Sequence, residues 1–227
     1  MSLFCVACAG PLEYRLLKRR LLYAAIAVLA AFQGAGIAQA APLQFAGQPV
    51  SDDARQAARW ITEHADNQRM PFVIVDKRAA RMLVFEADGR LRAATAVLVG
   101  AGPGDVSIPG IADRAPSSLL PRERITPAGR FLSEPGRNLQ GEDIVWVDYD
   151  AKVAIHRLRP GASQAQRLKR LATGLADDKR VSLGCIVVPV AFYERIISPV
   201  FGQQNGVVYV LPEVGTVQAM LGALNAS

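Results

Sequence analysis

Two residues of the sequence carry the side chains that nucleophilic attack on a carbonyl requires, Cys185 and His156. A thiolate is a strong nucleophile, but a free thiol is only slightly ionised at neutral pH and needs a base such as imidazole nearby. Attack on an amide creates an oxyanion, which backbone N–H groups stabilise. The turn of Ser182, Leu183 and Gly184 can present such groups, because glycine adopts conformations that other residues resist. The pattern predicts acyl transfer through a thioester.

The same two residues also fit a structural alternative. Cys185 and His156 are 29 residues apart in the chain, and a buried thiol together with a hydrogen-bonded imidazole is common in proteins without catalysis. Whether the thiol reacts therefore depends on the elements that position it and on the compartment in which it folds.

The first forty residues have the order of a secretory signal. Basic residues cluster between positions 15 and 20, an apolar run of 12 residues follows at positions 21–32, and small residues end at Ala38-Gln39-Ala40. A membrane span needs about 20 apolar residues, so the run is short for an anchor. We expect cleavage after Ala40 and export to the periplasm, with an uncleaved inner-membrane anchor as the alternative.

Export changes what the composition implies. The chain has 26 Lys and Arg against 20 Asp and Glu, but residues 1–40 hold four of the basic residues and one acidic residue, which leaves a net charge of +3. No basic run is interleaved with aromatic residues, so nucleic-acid binding is not predicted. Cys5 and Cys8 leave with the signal, and Cys185 remains as a single thiol in an oxidising compartment. With two histidines in the chain, no metal site is predicted.

Residues 41–70 predict a linker followed by an N-terminal helix. Ser51 is a suitable N-cap, and we expect the helix to run to about Gln68. Apolar residues recur in this segment at helical spacing: Ala54, Ala57, Ala58 and Ile61. The tail at residues 214–227 is apolar and rich in small residues, which fits a docking helix without an assigned function.

Residues 71–213 predict a mainly β domain, a β-rich α+β fold with a few short helices. Strands are expected at residues 72–75, 81–85, 91–99, 144–149, 153–155 and 207–211, and helices at 163–175 and 190–197. The segment 100–124 is rich in Gly, Pro and Ser. A connection of that length is typical of a lid or a binding loop.

These features together resemble the catalytic domain of the L,D-transpeptidase (YkuD) family over residues 72–213. The resemblance rests on the opening strands with Asp76 and the turn at Gly89, on Thr126-Pro127-Ala128-Gly129-Arg130-Phe131, on the upstream His156, and on Ser182-Leu183-Gly184-Cys185-Ile186.

The resemblance implies a β-sandwich-like catalytic fold that needs no metal or organic cofactor. It implies Cys185 as the nucleophile and His156 as the base. The N–H groups of Leu183, Gly184 and Cys185 become candidates for an oxyanion hole, with Ser182 supporting the turn. The implied substrates are peptidoglycan stem tetrapeptides. The implied acceptors are the amine of a second stem peptide or a lysine of a cell-envelope lipoprotein.

The sequence departs from the family pattern at three places. Leu183 stands where the family usually has His, and Val187 stands where Arg or Asn is common after the cysteine and its hydrophobic neighbour. The separation of His156 from Cys185 is longer than usual, and the extra segment at residues 163–175 has helical composition. We expect this insert to form a cap over the site.

The departures leave three functions open. The first is cross-linking or protein anchoring by an L,D-transpeptidase. The second is a catalytically inactive cell-wall-binding module of the same fold. The third is an L,D-carboxypeptidase or amidase that uses water as the acceptor. Arg157 and Arg159 are predicted substrate-binding residues, because they flank His156 and could meet a stem-peptide carboxylate in place of the missing polar residue; solvated surface arginines are the alternative.

Overall fold

The computed structural model describes residue 45 and residues 47–226. The predicted signal segment at residues 1–40 and half of the predicted linker lie outside the described residues. Within the described part, no helix is long and apolar enough to cross a membrane.

In the described residues, ten strands and five α-helices follow one another. The strands are β1 (Phe72–Asp76), β2 (Arg81–Phe85), β3 (Leu91–Ala96), β4 (Val99–Gly100), β5 (Gly129–Arg137), β6 (Asp143–Asp148), β7 (Val153–Arg157), β8 (Arg180–Ser182), β9 (Ile186–Val188) and β10 (Gly206–Val210). The helices are α1 (Asp52–Glu63), α2 (Gln164–Ala172), α3 (Val190–Phe192), α4 (Ser198–Phe201) and α5 (Val217–Asn225), and one π-helical turn (Tyr193–Ile197) joins α3 to α4.

Eight of the strands form one mixed sheet in the order β3-β2-β1-β10-β5-β6-β7-β9. Most neighbours are antiparallel, but β1 pairs with β10 and β7 pairs with β9 in parallel. Strands β4 and β8 form a small second sheet. The prediction of a mainly β fold with few short helices is confirmed.

The inner face of the large sheet carries the main core. Side chains from opposite halves of the sheet, such as Val75 of β1 and Val145 of β6, belong to one buried cluster. The segment from α3 to α4 packs Tyr193 and Phe201 into the same cluster. The sheet is therefore curved until its two halves share one apolar interior, and burial of this aliphatic surface is the main driving force for the fold.

The outer face is covered unevenly. Helices α1 and α5 lie over β1, β2 and β10, where the apolar positions predicted for the N-terminal helix, such as Ala57 and Ile61, are fully buried. Ser51 accepts a hydrogen bond from the Ala54 N–H and caps α1, as predicted. The helix ends at Glu63, earlier than expected, because Ala65 already has a positive φ of 50°.

The strand predicted at residues 91–99 is wrong in one respect, since the structure divides it. Strand β3 ends at Ala96, and β4 pairs with β8 instead of continuing along β2. Between them, Leu98 and Val187 exchange two backbone hydrogen bonds of 2.9 Å. The division carries the chain from the outermost strand of the large sheet to β8 and β9, which flank the predicted nucleophile.

Candidate active site

Adjacent parallel strands bring the predicted catalytic residues together. In the register of β7 and β9, Ile155 lies opposite Ile186 and His156 opposite Val187. Continued by one residue, the register places Cys185 opposite Ala154, whose N–H hydrogen-bonds to the sulfur. Cys185 stands two residues before Val187, the partner of His156 in the register. Because side chains alternate along a strand, His156 and Cys185 therefore lie on the same face of the sheet. That face is the outer one.

Ser182 holds the turn before the cysteine. Its hydroxyl accepts a hydrogen bond from the Gly184 N–H at 3.1 Å and donates to the Cys185 carbonyl at 2.6 Å. Gly184 has a φ of +130°, and a Cβ at this position would lie 2.8 Å from the Ile125 carbonyl oxygen. Both the backbone conformation and the lack of space therefore require glycine at position 184.

Two N–H groups of this turn are open and point the same way. Ala101 N–H donates to the Ser182 carbonyl at 3.0 Å, and the Thr126 hydroxyl donates to the Gly184 carbonyl at 2.7 Å. In a trans peptide the N–H points opposite to the carbonyl, so the N–H groups of Leu183 and Cys185 point away from Ala101 and Thr126. Neither has a hydrogen-bond partner among the described residues. Together they can bind one developing oxyanion.

Of the three predicted oxyanion donors, the Gly184 N–H is occupied by the Ser182 hydroxyl. Sequence reasoning also missed Thr126, which is buried and accepts a further hydrogen bond from the Gly100 N–H at 2.9 Å. The Thr-Pro segment was recognised as part of a pattern, but nothing in the sequence indicates that its hydroxyl reaches a carbonyl 58 residues away.

The thiol is neutral in this arrangement. Cys185 is partly buried, and burial raises the pKa of its thiol, although the Ala154 N–H and the positive charge of Arg159 act in the opposite direction. The S–H group donates to the Lys152 carbonyl at 3.5 Å. Lys152 belongs to the turn between β6 and β7 and is a second residue that the sequence analysis did not single out.

The imidazole is also neutral and has one nitrogen free to act as a base. Burial lowers the pKa of His156 to about 4, the hydrogen bond to the Arg157 carbonyl opposes this, and the charge of Arg159 lowers it further. Nδ1 lies 2.8 Å from that carbonyl oxygen, so Nδ1 carries the hydrogen and Nε2 has the free lone pair. Within the described part of the chain, no hydrogen bond joins the His156 ring to the Cys185 sulfur.

The two predicted substrate arginines point to different places. The guanidinium of Arg157 lies 4.9 Å from the ring centroid of Tyr193, which belongs to the inner core. Arg159 Nε lies 2.8 Å from Glu142 Oε2, and its charge acts on both His156 and Cys185. Arg159 is therefore the arginine near the thiol and the imidazole. Arg157 instead packs against Tyr193 on the opposite face of the sheet.

Leu183 and Val187, the two residues that depart from the family pattern next to Cys185, have different environments. Leu183 is 45% exposed. Val187 is buried and packs with Leu98, Leu158 and Leu171, the last of which lies on α2. The insert thus forms a helix, and its apolar side covers Val187 on the sheet face that carries His156. A charged residue at position 187 would be buried beneath that helix without a partner.

No group of three or more His, Cys, Asp or Glu side chains in residues 47–226 is arranged to hold a metal ion. The side chains assembled around Cys185 are an imidazole, a guanidinium and a carboxylate, with a hydroxyl in the turn. This set can move a proton and bind an anion.

No family model and no curated protein matches the chain. Among solved structures, it is similar to the catalytic domain of an Enterococcus faecium L,D-transpeptidase, with 19% identity and a TM-score of 0.33, over 63% of this chain and 98% of that domain. It is also similar to Pgp2, the helical cell shape determining protein of Campylobacter jejuni, with 18% identity and a TM-score of 0.42, over 74% of this chain and 61% of Pgp2.

A third similar structure is the L,D-transpeptidase of Xylanimonas cellulosilytica (17% identity, TM-score 0.37), matched over 62% of this chain and 60% of that one. The chain thus spans less than two thirds of the Pgp2 and Xylanimonas chains. Several of these neighbours are L,D-transpeptidases, the family that the sequence motifs resemble. At these identities and TM-scores the likeness gives no information on activity, which has to be judged from the site itself.

Proposed function

We propose that the protein is an exported cysteine L,D-transpeptidase, which forms a thioester between Cys185 and a peptidoglycan stem tetrapeptide and passes the acyl group to an amine. The observation that carries the proposal is the joint placement of a thiol, an imidazole with a free Nε2 and two unpaired N–H groups at one edge of the sheet. These are the groups that acyl transfer through a thioester requires.

In the proposed acylation, His156 Nε2 takes the thiol proton while Cys185 Sγ attacks the carbonyl carbon of the donor peptide bond. The carbonyl oxygen becomes an oxyanion and accepts hydrogen bonds from the N–H groups of Leu183 and Cys185. When the intermediate collapses, the imidazolium gives its proton to the leaving amine of the terminal D-alanine. The products are a thioester on Cys185 and a free D-alanine.

In the second half, His156 takes a proton from the acceptor amine as its nitrogen attacks the thioester carbon. The collapse restores the Cys185 sulfur, which recovers the proton from the imidazolium, and forms the new amide. The acceptor is the amine of a second stem peptide or the lysine of a cell-envelope lipoprotein. The neutral state of both catalytic groups requires that the thiol turn from the Lys152 carbonyl towards the ring before the proton moves.

Arg159 is the proposed contact for a stem-peptide carboxylate. Its side chain is 39% exposed, its Nε lies 2.8 Å from Glu142 Oε2, and its charge acts on both His156 and Cys185. A planar guanidinium binds carboxylates through paired N–H donors. It would supply a polar group in place of the Arg or Asn that is common in the family after the cysteine and its hydrophobic neighbour, where this chain has Val187. The signal predicted at residues 1–40 supports export, so the proposed compartment of the reaction is the periplasm.

A second candidate function is a cell-wall-binding module that lacks catalysis. The raised pKa of Cys185 and the missing hydrogen bond between the thiol and the imidazole favour it. A third candidate, an L,D-carboxypeptidase or amidase, would use the same groups with water as the acceptor.

Exposure to a carbapenem followed by intact-protein mass spectrometry tests the proposal, because the strained amide of a carbapenem acylates a reactive thiol of this kind. We expect one adduct for each chain, located on Cys185 by peptide mapping and absent from Cys185→Ser. Retained binding to isolated peptidoglycan without any adduct would instead establish the binding module. Release of D-alanine from tetrapeptides without a cross-linked product would establish water as the acceptor.

A further inference from the structure

A buried lysine lies behind the nucleophile turn. The Lys77 side chain is 1% exposed, and its Nζ donates to three oxygens: the Gly104 carbonyl at 2.6 Å, Asp105 Oδ1 at 2.9 Å and the Thr126 carbonyl at 2.9 Å. Three donors therefore meet three acceptors, which fully satisfies the ammonium. A buried charge is tolerated only when it is paired and hydrogen-bonded in this way.

The partners of Lys77 are themselves fixed by the C-terminal part of the domain. Asp105 accepts the N–H groups of Glu213 at 2.8 Å, Val214 at 2.9 Å and Gly215 at 2.7 Å. Glu213 in turn accepts the Gly104 N–H at 2.5 Å. We call Lys77, Asp105, Glu213 and Arg180 the lysine cluster, since Arg180 forms an ion pair with Glu213.

The lysine cluster reaches the nucleophile turn by two routes. The Thr126 carbonyl accepts a hydrogen bond from Lys77 Nζ, and the Thr126 hydroxyl donates one to the carbonyl of Gly184, the residue before the proposed nucleophile. Arg180 begins β8, which ends at Ser182. The peptide between Gly184 and Cys185 is therefore held from the side of the cluster, and the direction of the Cys185 N–H is set by the same contact.

We propose that Lys77 is a positioning residue for the reaction at Cys185, acting through Thr126 to fix the peptide that joins Gly184 to the nucleophile. The proposal rests on the proposed function for the role of the N–H groups, but the placement of the thiol can be measured without any cell-wall substrate. Lys77 touches neither the thiol nor the imidazole. It acts by fixing the carbonyl and hydroxyl of Thr126 in one orientation.

Two matched variants of Thr126 separate positioning from general stability. Thr126→Val keeps the shape of the side chain but loses the hydroxyl, whereas Thr126→Ser keeps the hydroxyl. Lys77→Met removes the ammonium at nearly constant length. Arg130→Met is the matched control, because it removes a partly buried ion pair with Asp66 that has no contact with the turn.

The first measurement is the rate of carbapenem acylation at Cys185 in folded protein. Misplacement of a reacting group by about 1 Å can lower a rate by roughly a hundredfold, so we expect losses of about ten- to a hundredfold for Thr126→Val and Lys77→Met. Thr126→Ser and Arg130→Met should stay within about twofold of the unchanged protein, since their changes leave the turn anchored. Equal rates in all four variants would overturn the proposal.

The second measurement uses no cell-wall chemistry. Amide hydrogen exchange at Gly100 and Gly184, whose N–H groups bond to the hydroxyls of Thr126 and Ser182, should accelerate at least tenfold in Thr126→Val and Lys77→Met, and not in Arg130→Met. If the unchanged protein forms no carbapenem adduct but the exchange pattern holds, the proposed function fails and the positioning role stands. If the adduct forms and exchange is unchanged in both variants, the positioning role fails alone.

Discussion

Two ionic clusters, each buried or partly buried, tie distant parts of this chain together, and they make contact with different parts of the fold. The lysine cluster joins the turn after β1, the long connection from β4 to β5 and the segment after β10. The second, which we call the arginine cluster, consists of Asp66, Arg130 and Tyr209: Arg130 Nε donates to Asp66 Oδ2 at 2.7 Å, and the Tyr209 hydroxyl donates to the same oxygen. It fixes the segment between α1 and β1 against the sheet.

The two clusters differ in the backbone carbonyls to which their cations donate hydrogen bonds. In the arginine cluster, Arg130 also donates to the Asp66 carbonyl, so the network closes on itself. In the lysine cluster, the ammonium donates to two backbone carbonyls of the long connection, and Thr126 carries that constraint to Gly184. Similar chemistry therefore closes a loop in one region and anchors the turn before Cys185 in the other. Burial and pairing alone do not tell the two roles apart.

The largest expected effect is on the rate of carbapenem acylation, from a change at His156 that alters neither cluster. His156→Ala removes the base and should slow carbapenem acylation by roughly 10²–10⁴-fold, the usual contribution of a general base. Because the pKa of His156 is about 4, the rate in the unchanged protein should fall as the pH drops through about 4, where the imidazole becomes protonated.

That prediction is checked by stopped-flow or mass-spectrometric rates from pH 3 to 8, with His64→Ala as the control. His64 is an exposed histidine at the end of α1, far along the chain from the turn. A near-native rate in His156→Ala would remove His156 from proton transfer, and the lysine cluster would then orient a thiol without a base.

A smaller effect is expected on the free energy of unfolding, which should fall by different amounts when each cluster loses its cation. Lys77→Met leaves Asp105 without its ammonium and two carbonyls without a donor, and breaking a buried pair in this way costs about 4 kcal/mol. Arg130→Met leaves Asp66 still bonded to Tyr209, and the loss of hydrogen bonds to a charged group costs about 2 kcal/mol. Urea unfolding followed by fluorescence measures both. Equal losses would contradict the contrast drawn between the two networks.

The smallest expected effect is on the stability of the protein at acidic pH. Burial alone would raise the pKa of Asp105, but the N–H groups of Gly215 and Glu213 and the ammonium of Lys77 lower it from 3.8 to about 2. A carboxyl with a lowered pKa in the folded state contributes stability that is fully present above its unfolded pKa and is lost as the pH falls from 3.8 towards about 2.

We therefore expect the free energy of unfolding to decline in this range and the Asp105 part of the decline to disappear in Asp105→Asn. Asp150→Asn, an exposed change in the turn between β6 and β7, serves as the control and should leave the slope unaltered. An Asp105→Asn variant with the same acid slope as the unchanged protein would show that the carboxyl is not held ionised by the cluster.

The sequence was sufficient for most strands of the large sheet, because they follow from local patterns, but it did not predict β8 or β9 and did not divide β3 from β4. Short continuous runs of apolar residues predict β1 and β2, and glycine before a cysteine indicates a constrained turn. The alternation of side chains along a strand separates Arg157 from His156, since consecutive strand residues point to opposite faces. Alternation does not identify Arg159, which lies beyond the end of β7 at Arg157.

Other features depend on contacts that no local pattern contains. The hydroxyl of Thr126 meets a carbonyl 58 residues away, and the ammonium of Lys77 meets one 49 residues away. From the sequence, a lysine at the end of an apolar strand is most simply read as a solvated turn residue. Its burial follows from the path of the long connection, which only the folded chain determines.

Leu183 offers a practical consequence of the way this turn is built. Its amide group belongs to the turn, while the residue as a whole is 45% exposed to solvent. Every amino acid except proline brings the same amide, so the residue can be exchanged for aromatic, acidic or basic ones while the scaffold beneath it is preserved. If the proposed function holds, position 183 is thus a place where selectivity for different peptides can be engineered, next to a glycine that tolerates no replacement.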